Sequence, residues 1–541
     1  MTDLIQKTQS AYSYPLLIKN LLYSPVADNP VQEIVYRGKQ RFTYREFRHR
    51  VCRLANALVT LGVKPGDTVA VMDWDSHRYL ECFFAVPMIG AVLHTVNIKL
   101  SSEQILYTIN HAEDDFILVN EEFLPLIEQI RGRIDMVKGY MVLQDDPGKI
   151  DTSVPLVGEY ETLLGAAEDT FEFEDFDEHS RATTFYTTGT TGMPKGVFFS
   201  HRQLVLHTLG TLTALGTAEK QGRFHRNDVY MPITPMFHVH AWGFPYIATF
   251  AGVKQVYPGK YAPSHLLQLI REEGVTFSHC VPTILHMLIN DAAFKDLDLS
   301  NWKVVIGGAA MPKALCRILL QKGADVFSGY GMSETCPVLT LAQVEEEGLD
   351  EDEELSIRCK TGKALPLVDI RIVDENMSDV DDDGEAVGEV VVRAPWLTQA
   401  YLKDKRNSEV LWEGGYLHTG DVANRNSQGY LAITDRIKDV IKIGGEWLSS
   451  LELEDFIAVH PAVSEVSVIG CPDDKWGERP LALVVPKEKV TEKALVKHVH
   501  DFIDKGLLSK QALLLRVRLV EEIDKTSVGK QNKKLLREKY T

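Results

Sequence analysis

Tyr186-Thr-Thr-Gly-Thr-Thr-Gly-Met-Pro-Lys-Gly196 follows a short apolar run and holds four threonines, three glycines and one lysine. Gly189, Gly192 and Gly196 carry no Cβ, so the backbone can turn and come close to a ligand. Backbone N–H groups in such a loop can converge on an anion. The hydroxyls of Thr187, Thr188, Thr190 and Thr191 add donors, and one can also offer oxygen to a hard cation such as Mg²⁺. Lys195 adds a point positive charge. The set suits a polyphosphate, yet its spacing is not Gly-x4-Gly-Lys-Ser/Thr. A Gly/Thr-rich stretch also reads as a plain polar surface loop, so its meaning depends on what accompanies it.

The surrounding chain sets bounds. At 541 residues it exceeds what one hydrophobic core serves, so two or more domains are expected. With 45% hydrophobic and 25% charged residues the composition is that of a soluble globular protein. A formal net charge of -18 argues against a nucleic-acid partner, since no basic balance exists to displace counterions. Seven scattered cysteines without a C-x-x-C read as reduced thiols in a cytoplasmic protein, with neither a disulfide frame nor a zinc site. Met1–Ser10 has no apolar core and reads as no secretory signal. The longest apolar stretch, Phe83–Val96, is too short to span a membrane and contains Pro87.

Upstream of the threonine loop, strand-like runs at 67–72, 91–96, 116–119 and 140–143 surround helical spacing at 49–61 and 76–89, the rhythm of a parallel α/β layer. Downstream, 197–200 reads as a strand and 201–215 as a long helix. Further strands are expected at 275–281 and 304–306, with helices opening at Pro282 and Pro312. The eight acidic residues of 345–354 read as a solvated surface run without chemistry. Alternation at 370–373 and 389–393 predicts a β-rich region, and 439–541 holds enough short strands and helices for a small α+β domain.

Several stretches bear chemistry. Tyr230-Met-Pro-Ile-Thr-Pro-Met-Phe-His-Val-His-Ala-Trp-Gly-Phe-Pro245 carries His238 and His240, which can be metal ligands, satisfied core histidines, or the lining of a carboxylic-acid pocket. Residues 235–244 contain no carboxylate, so a substrate ammonium would lack a partner there. Gly307 and Gly308, at the end of Val304-Val-Ile-Gly-Gly-Ala-Ala310, either form a tight turn or let a flat ring lie on the backbone. In Ser328-Gly-Tyr-Gly-Met-Ser-Glu-Thr335, Tyr330 offers a stacking face and Glu334 a carboxylate for a cation shared with Thr187. His418-Thr-Gly-Asp421 supplies a carboxylate able to accept two hydroxyl donors. Asp435-Arg-Ile-Lys-Asp439, Lys442-Ile-Gly-Gly-Glu-Trp-Leu-Ser-Ser450 and Lys525-Thr-Ser-Val-Gly-Lys530 complete the series. Taken singly, the last motifs read as surface ion pairs or a solvated basic helix face.

In this order and across the whole chain, the motifs resemble those of the acyl-adenylate-forming enzymes. The Gly-Gly-Glu-Trp form looks most like the medium- and long-chain fatty-acyl-CoA synthetases. The sequence departs from the family pattern at Ser333, where threonine is commoner, and at Asp524, where proline is usual. The resemblance implies a multidomain α/β plus α+β fold. Residues 1–434 would form a large N-terminal domain of layered αβ subdomains with a β-rich subdomain, 435–438 a hinge, and 439–541 a small mobile lid.

The resemblance also implies ATP, Mg²⁺ and coenzyme A as partners of a carboxylic acid. The acid first attacks the α-phosphate and coenzyme A then takes the acyl group. Thr187 and Glu334 would hold Mg²⁺, and Lys195 with Thr187, Thr188, Gly189, Thr190 and Thr191 the phosphates. Gly308, Ala309, Ser328, Gly329, Tyr330, Gly331 and Ser333 would line the nucleotide site, with Asp421, Arg436, Lys438 and Trp447. Lys530 would serve adenylation and Lys442 the thioester step, while His238, Val239, Trp242 and Ala310 would face the acid, Trp242 as the gate of its tunnel. A medium or long fatty acid is expected. Short branched, alicyclic, aromatic or thioether acids, a carrier-protein acceptor, luciferase-type oxidation and a non-catalytic nucleotide sensor are the alternatives. A homodimer is expected, with Arg202 a candidate contact.

Overall fold

The computed structural model of the chain describes residues 2–146, 148–187, 193–443, 446–473, 475–505, 508–525 and 531–541, with 446 and 447 as backbone only. Their strands form four sheets.

Runs such as Thr68-Val-Ala-Val-Met72 are buried along their whole length. That is the signature of strands covered by helices on both faces of a parallel sheet. The first large sheet has seven strands in the order Leu156–Glu159, Gly139–Leu143, Asp114–Asn120, Thr68–Met72, Val92–Thr95, Arg181–Thr187, Lys195–Ser200. All neighbours are parallel except the last two, which form an antiparallel hairpin. The helix His77–Met88 lies beside it with every residue buried, and Ser76 caps it by accepting from the Tyr79 N–H.

The second large sheet has nine strands. Six of them, Asp325–Gly331, Lys303–Ile306, Phe277–Cys280, Val229–Pro232, Lys254–Tyr257 and Glu33–Tyr36, are parallel neighbours in that order. The helices Pro263–Glu273 and Pro282–Ile289 begin on proline, whose missing N–H costs nothing in the first turn. One continuous apolar cluster, including Phe83, Phe84, Tyr246, Phe199 and Trp396, fills the space between the two sheets. Strands Asp369–Val373, Gly388–Arg393, Leu417–Arg425 and Leu431–Arg436 make an antiparallel third sheet. From Ile441 onward the strands form a sheet of their own with helices Ser450–Ala458, Glu492–Asp504 and Lys533–Tyr540. The expected α/β plus α+β architecture is the one observed.

Two details go beyond the sequence reading. The acidic run is exposed at most positions, but its second half begins a helix, Glu351–Arg358. Asp350 and Glu353 form a capping box there, and four acidic residues occupy the first turn, where the helix dipole favours them. Arg358, at the other end, pairs with Asp325 at 2.6 Å and Glu354 at 2.7 Å. The residues expected to be a hinge begin at a fastened point. Asp435 Oδ2 accepts from the N–H of Ser450 at 2.6 Å and from its hydroxyl at 2.7 Å, and Lys533 Nζ donates to the same hydroxyl at 2.7 Å.

Candidate functional site

The hairpin Arg181–Thr187/Lys195–Ser200 sets Thr187 directly opposite Lys195. The phosphate-loop residues Thr188, Gly189, Thr190, Thr191 and Gly192 lie outside the described residues. Gly196, expected to let a ligand approach, has another task. A Cβ there would sit 2.9 Å from the Leu402 Cβ and 3.3 Å from the Tyr186 ring, and the Leu402 N–H donates to the Gly196 carbonyl at 2.8 Å. The glycine thus admits the segment 401–402 against the hairpin. Tyr186 is fixed from the other side, its hydroxyl 2.8 Å from His111 Nδ1.

That close approach brings in Tyr401, a residue the motifs did not single out. Its hydroxyl donates to Glu334 Oε1 at 2.6 Å, and the Lys195 ammonium lies 4.5 Å from its ring centroid. Burial, and next the Glu334 carboxylate, raise its pKa far above the ordinary phenol value, so it stays a donor. Glu334 is buried, and its carboxylate accepts from Tyr401. A buried carboxylate whose partner is a neutral phenol offers an oxygen donor that fits a hard divalent cation. An open cleft of about 610 Å³ adjoins this end, lined in part by Tyr401, Lys403 and Lys405.

The strand Asp325–Gly331 leads from here to a second polar cluster. The Tyr330 hydroxyl donates to Asp421 Oδ2 at 2.7 Å, and Arg436 Nε lies 3.3 Å from Asp421 Oδ1. Asp421 and Arg436 are cross-strand partners in the third sheet. Ser328 adds a buried hydroxyl with no partner among the described residues. The glycines of this strand are demanded by packing: a Cβ on Gly331 would meet the Pro337 carbonyl oxygen at 1.7 Å, and one on Gly329 would lie 3.0 Å from Val305. Gly331 and Ser333 are half-buried beside the short 3₁₀ turn Ser333–Thr335. Gly308 adopts φ +78°, and Ala309 and Ala310 beyond it are exposed.

The segment read as the acid pocket holds the longest run of positive-φ backbone among the described residues. Val239, His240, Ala241 and Trp242 all have positive φ, 49°, 55°, 47° and 58°, and Gly243 continues at 73°. Left-handed conformation costs on the order of 1–2 kcal/mol per non-glycine residue, so the surroundings must hold this turn in place. It sets the Trp242 ring 5.0 Å from that of His279, and a Cβ on Gly307 would lie 3.0 Å from the same indole. Gly307 therefore makes room for Trp242. Val239 is buried and His238 half-buried. His240 is wholly buried between Phe83, Phe185, Phe199 and Tyr246, and burial pushes its pKa down to about 3. It is a core histidine, and among the described residues no group of three His, Cys, Asp or Glu could hold a metal.

Lys530 lies outside the described residues, as do Gly444 and Gly445. Lys442 is exposed and pairs across strands with Trp447, and its N–H donates to Glu478 at 2.8 Å. Lys438 is exposed, and its carbonyl accepts from Arg537 at 3.1 Å. Arg202 is engaged within the chain, 2.6 Å from Glu178. No helix among the described residues is long and apolar enough to cross a membrane.

The family model described as AMP-binding enzyme matches residues 24–402, and that described as AMP-binding enzyme C-terminal domain matches 452–530. The chain is 41% identical to a long-chain-fatty-acid–CoA ligase of Thermus thermophilus, over 92% of this chain and 90% of that one. It is 35% identical to a 3-methylmercaptopropionyl-CoA ligase of Ruegeria lacuscaerulensis, over 97% of each. A solved structure of the anthranilate CoA ligase AuaEII with anthranoyl-AMP superimposes with a TM-score of 0.84, covering 97% of this chain and 98% of that one at 24% identity, a likeness of fold alone.

Proposed function

We infer the activity from one premise: the chain belongs to the AMP-binding enzyme family. It is an AMP-forming acid–thiol ligase that joins a carboxylic acid to coenzyme A through an acyl-adenylate at the expense of ATP. We propose a medium- or long-chain fatty acid as its substrate. The observation that supports this placement of chemistry is the run 328–335, which carries the Tyr330–Asp421–Arg436 cluster at one end and the Glu334–Tyr401–Lys195 cluster at the other.

A carboxylate is a poor acyl donor because its leaving group would be oxide; a phosphate mixed anhydride removes that obstacle. Most of the help in such a transfer comes from positioning and charge neutralisation. Tyr330 offers its face to the adenine, Asp421 accepts from the ribose hydroxyls, and Arg436 reaches the ribose or phosphate. Lys195 and the threonine loop hold the β- and γ-phosphates. Mg²⁺, held by Glu334 and Thr187, would neutralise phosphate charge. The acid lies against His238, Val239, Trp242 and Ala310, a wall without carboxylates. Lys530 steadies the reacting carboxylate and α-phosphate oxygens. The unit 439–541 then turns about 435–438, so that Lys530 leaves and the face 442–445 arrives for the thioester step, with Trp447 and Lys438 beside the nucleotide. We place the enzyme in the cytoplasm as a homodimer.

The test is pyrophosphate release over acids graded in length and shape, with and without coenzyme A. Fatty acids of eight or more carbons should give the highest kcat/KM, with coenzyme-A-dependent AMP release. A preference for a thioether or aromatic acid would move the substrate and leave the ligase reading intact. Lys530→Ala should abolish adenylation yet spare thioester formation from supplied acyl-adenylate; equal loss of both halves would contradict the two-orientation reading.

A further inference from the structure

Asp75 stands where three parts of the molecule meet. It follows the strand Thr68–Met72 of the seven-stranded sheet and is 3% exposed. Its Oδ1 accepts from the N–H of Met236, beyond the strand Val229–Pro232 of the other large sheet, at 2.9 Å. Its Oδ2 accepts from the Tyr261 hydroxyl at 2.5 Å, and its carbonyl from the Gly259 N–H at 2.8 Å. Met236 opens the approach to the left-handed turn. Two further bonds fix that approach: Thr95 Oγ donates to the Phe237 carbonyl at 3.1 Å, and the His238 N–H to the Pro235 carbonyl at 2.9 Å. A turn of four non-glycine residues at positive φ persists only while its flanks are held. Asp75 supplies the carboxylate among these bonds.

We propose that Asp75 is a positioning residue for the acid substrate: through Met236 it holds the turn that carries Val239 and Trp242 in the shape that receives the acyl chain. This rests on the reading that 238–242 face the acid. The carboxyl is deeply buried, and burial lifts its pKa from the usual carboxylate range to about 7, against the lowering effect of Tyr261, Met236 and Lys99. The charged or titratable groups facing it are Asp73 and Tyr79 on its own side, Lys99 beyond the next strand, Tyr230 and Tyr257 on the opposite sheet, and Tyr261 in the loop after Lys254–Tyr257. These phenols are all raised well above their ordinary value by burial, so Asp75 is the group that titrates near neutrality. Ionised, it accepts both bonds with full charge, the stronger form. Protonated, it accepts from Met236 as a neutral oxygen, as an asparagine would.

The test compares wild type, Asp75→Ala and Asp75→Asn by steady-state pyrophosphate release from pH 5.5 to 8.5. It uses the fatty acid that wild type turns over best. Leaving the Met236 N–H unsatisfied should raise KM for the acid about tenfold in Asp75→Ala, with KM for ATP held within about twofold. In wild type KM for the acid should fall about threefold as pH rises through 7, tracking the stronger charge-assisted bond. Asp75→Asn should keep a KM close to the acid-side value and show no such inflection. An Asp75→Ala enzyme whose KM rises equally for acid and ATP, or an Asp75→Asn enzyme that keeps the inflection, would overturn the assignment. Should Asp75→Ala fail to fold, the pH profile of Asp75→Asn decides. Wild type inert toward every fatty acid would sink the substrate reading alone. The same comparison is then made with the acid it does use.

Discussion

Tyr401 joins two groups that come from distant parts of the chain. Its hydroxyl steadies the carboxylate of Glu334 and its ring receives the ammonium of Lys195. A hydrogen bond to a charged group contributes about 1.5–3 kcal/mol. Tyr401→Phe keeps the ring and loses the bond, so kcat/KM for ATP should fall roughly tenfold or more at saturating acid, and stability should fall by about 1.5–3 kcal/mol. Steady-state kinetics with ATP varied, beside a thermal melt, reads both. At this scale the sequence was informative where residues sit in dense motifs. Asp421, Arg436 and Tyr330 come from three separate motifs, and the fold brings them into one cluster. Tyr401 escaped notice because its importance comes only from packing: nothing in Ala400-Tyr401-Leu402 reveals that Gly196 opens a seat for it. Asp75 escaped for a similar reason, its partners lying on another sheet.

Among elements, the alternation of apolar runs and helical spacing was enough to place Thr68–Met72, Val92–Thr95, Asp114–Asn120, Gly139–Leu143 and Lys195–Ser200 of the seven-stranded sheet, and Phe277–Cys280 and Lys303–Ile306 of the nine-stranded one. Strands buried on both faces cannot hide their composition. The left-handed turn 239–243 was illegible. Glycine or asparagine normally marks such conformations, whereas here valine, histidine, alanine and tryptophan adopt them under tertiary constraint. The bend after Asp325–Gly331 is the opposite case, because Gly331 is required by the Pro337 carbonyl. Gly331→Ala should therefore displace the turn that bears Glu334. The expected outcome is a loss of more than about 2 kcal/mol of stability together with ATP binding, measured by chemical denaturation and nucleotide titration. An alanine variant of wild-type stability would mean that the bend yields more easily than its contacts indicate.

Across the whole molecule, the interior is rich in neutral imidazoles. His201, His207, His240 and His279 are buried, and burial lowers each from 6.5 to about 3. Such rings stay neutral in the fold and take up protons when it opens. Their contribution is thus complete above pH 6.5 and drains away as pH falls toward 3, at up to about 1.4 kcal/mol per pH unit for each ring. Asp75, raised to about 7, works in the opposite sense over a shorter span. The histidines should win below pH 6.5: the melting temperature should drop steadily from about pH 6 to about pH 4.5, and a flat profile over that range would contradict their burial. The fastening at Asp435 has a further consequence. A carboxylate that accepts both the amide and the hydroxyl of Ser450, with Lys533 closing over the pair, makes the observed arrangement a latched one. On the proposal that residues 439–541 turn about 435–438, these bonds would have to part in every cycle. The catch would then delay access of the thiol to the acyl-adenylate.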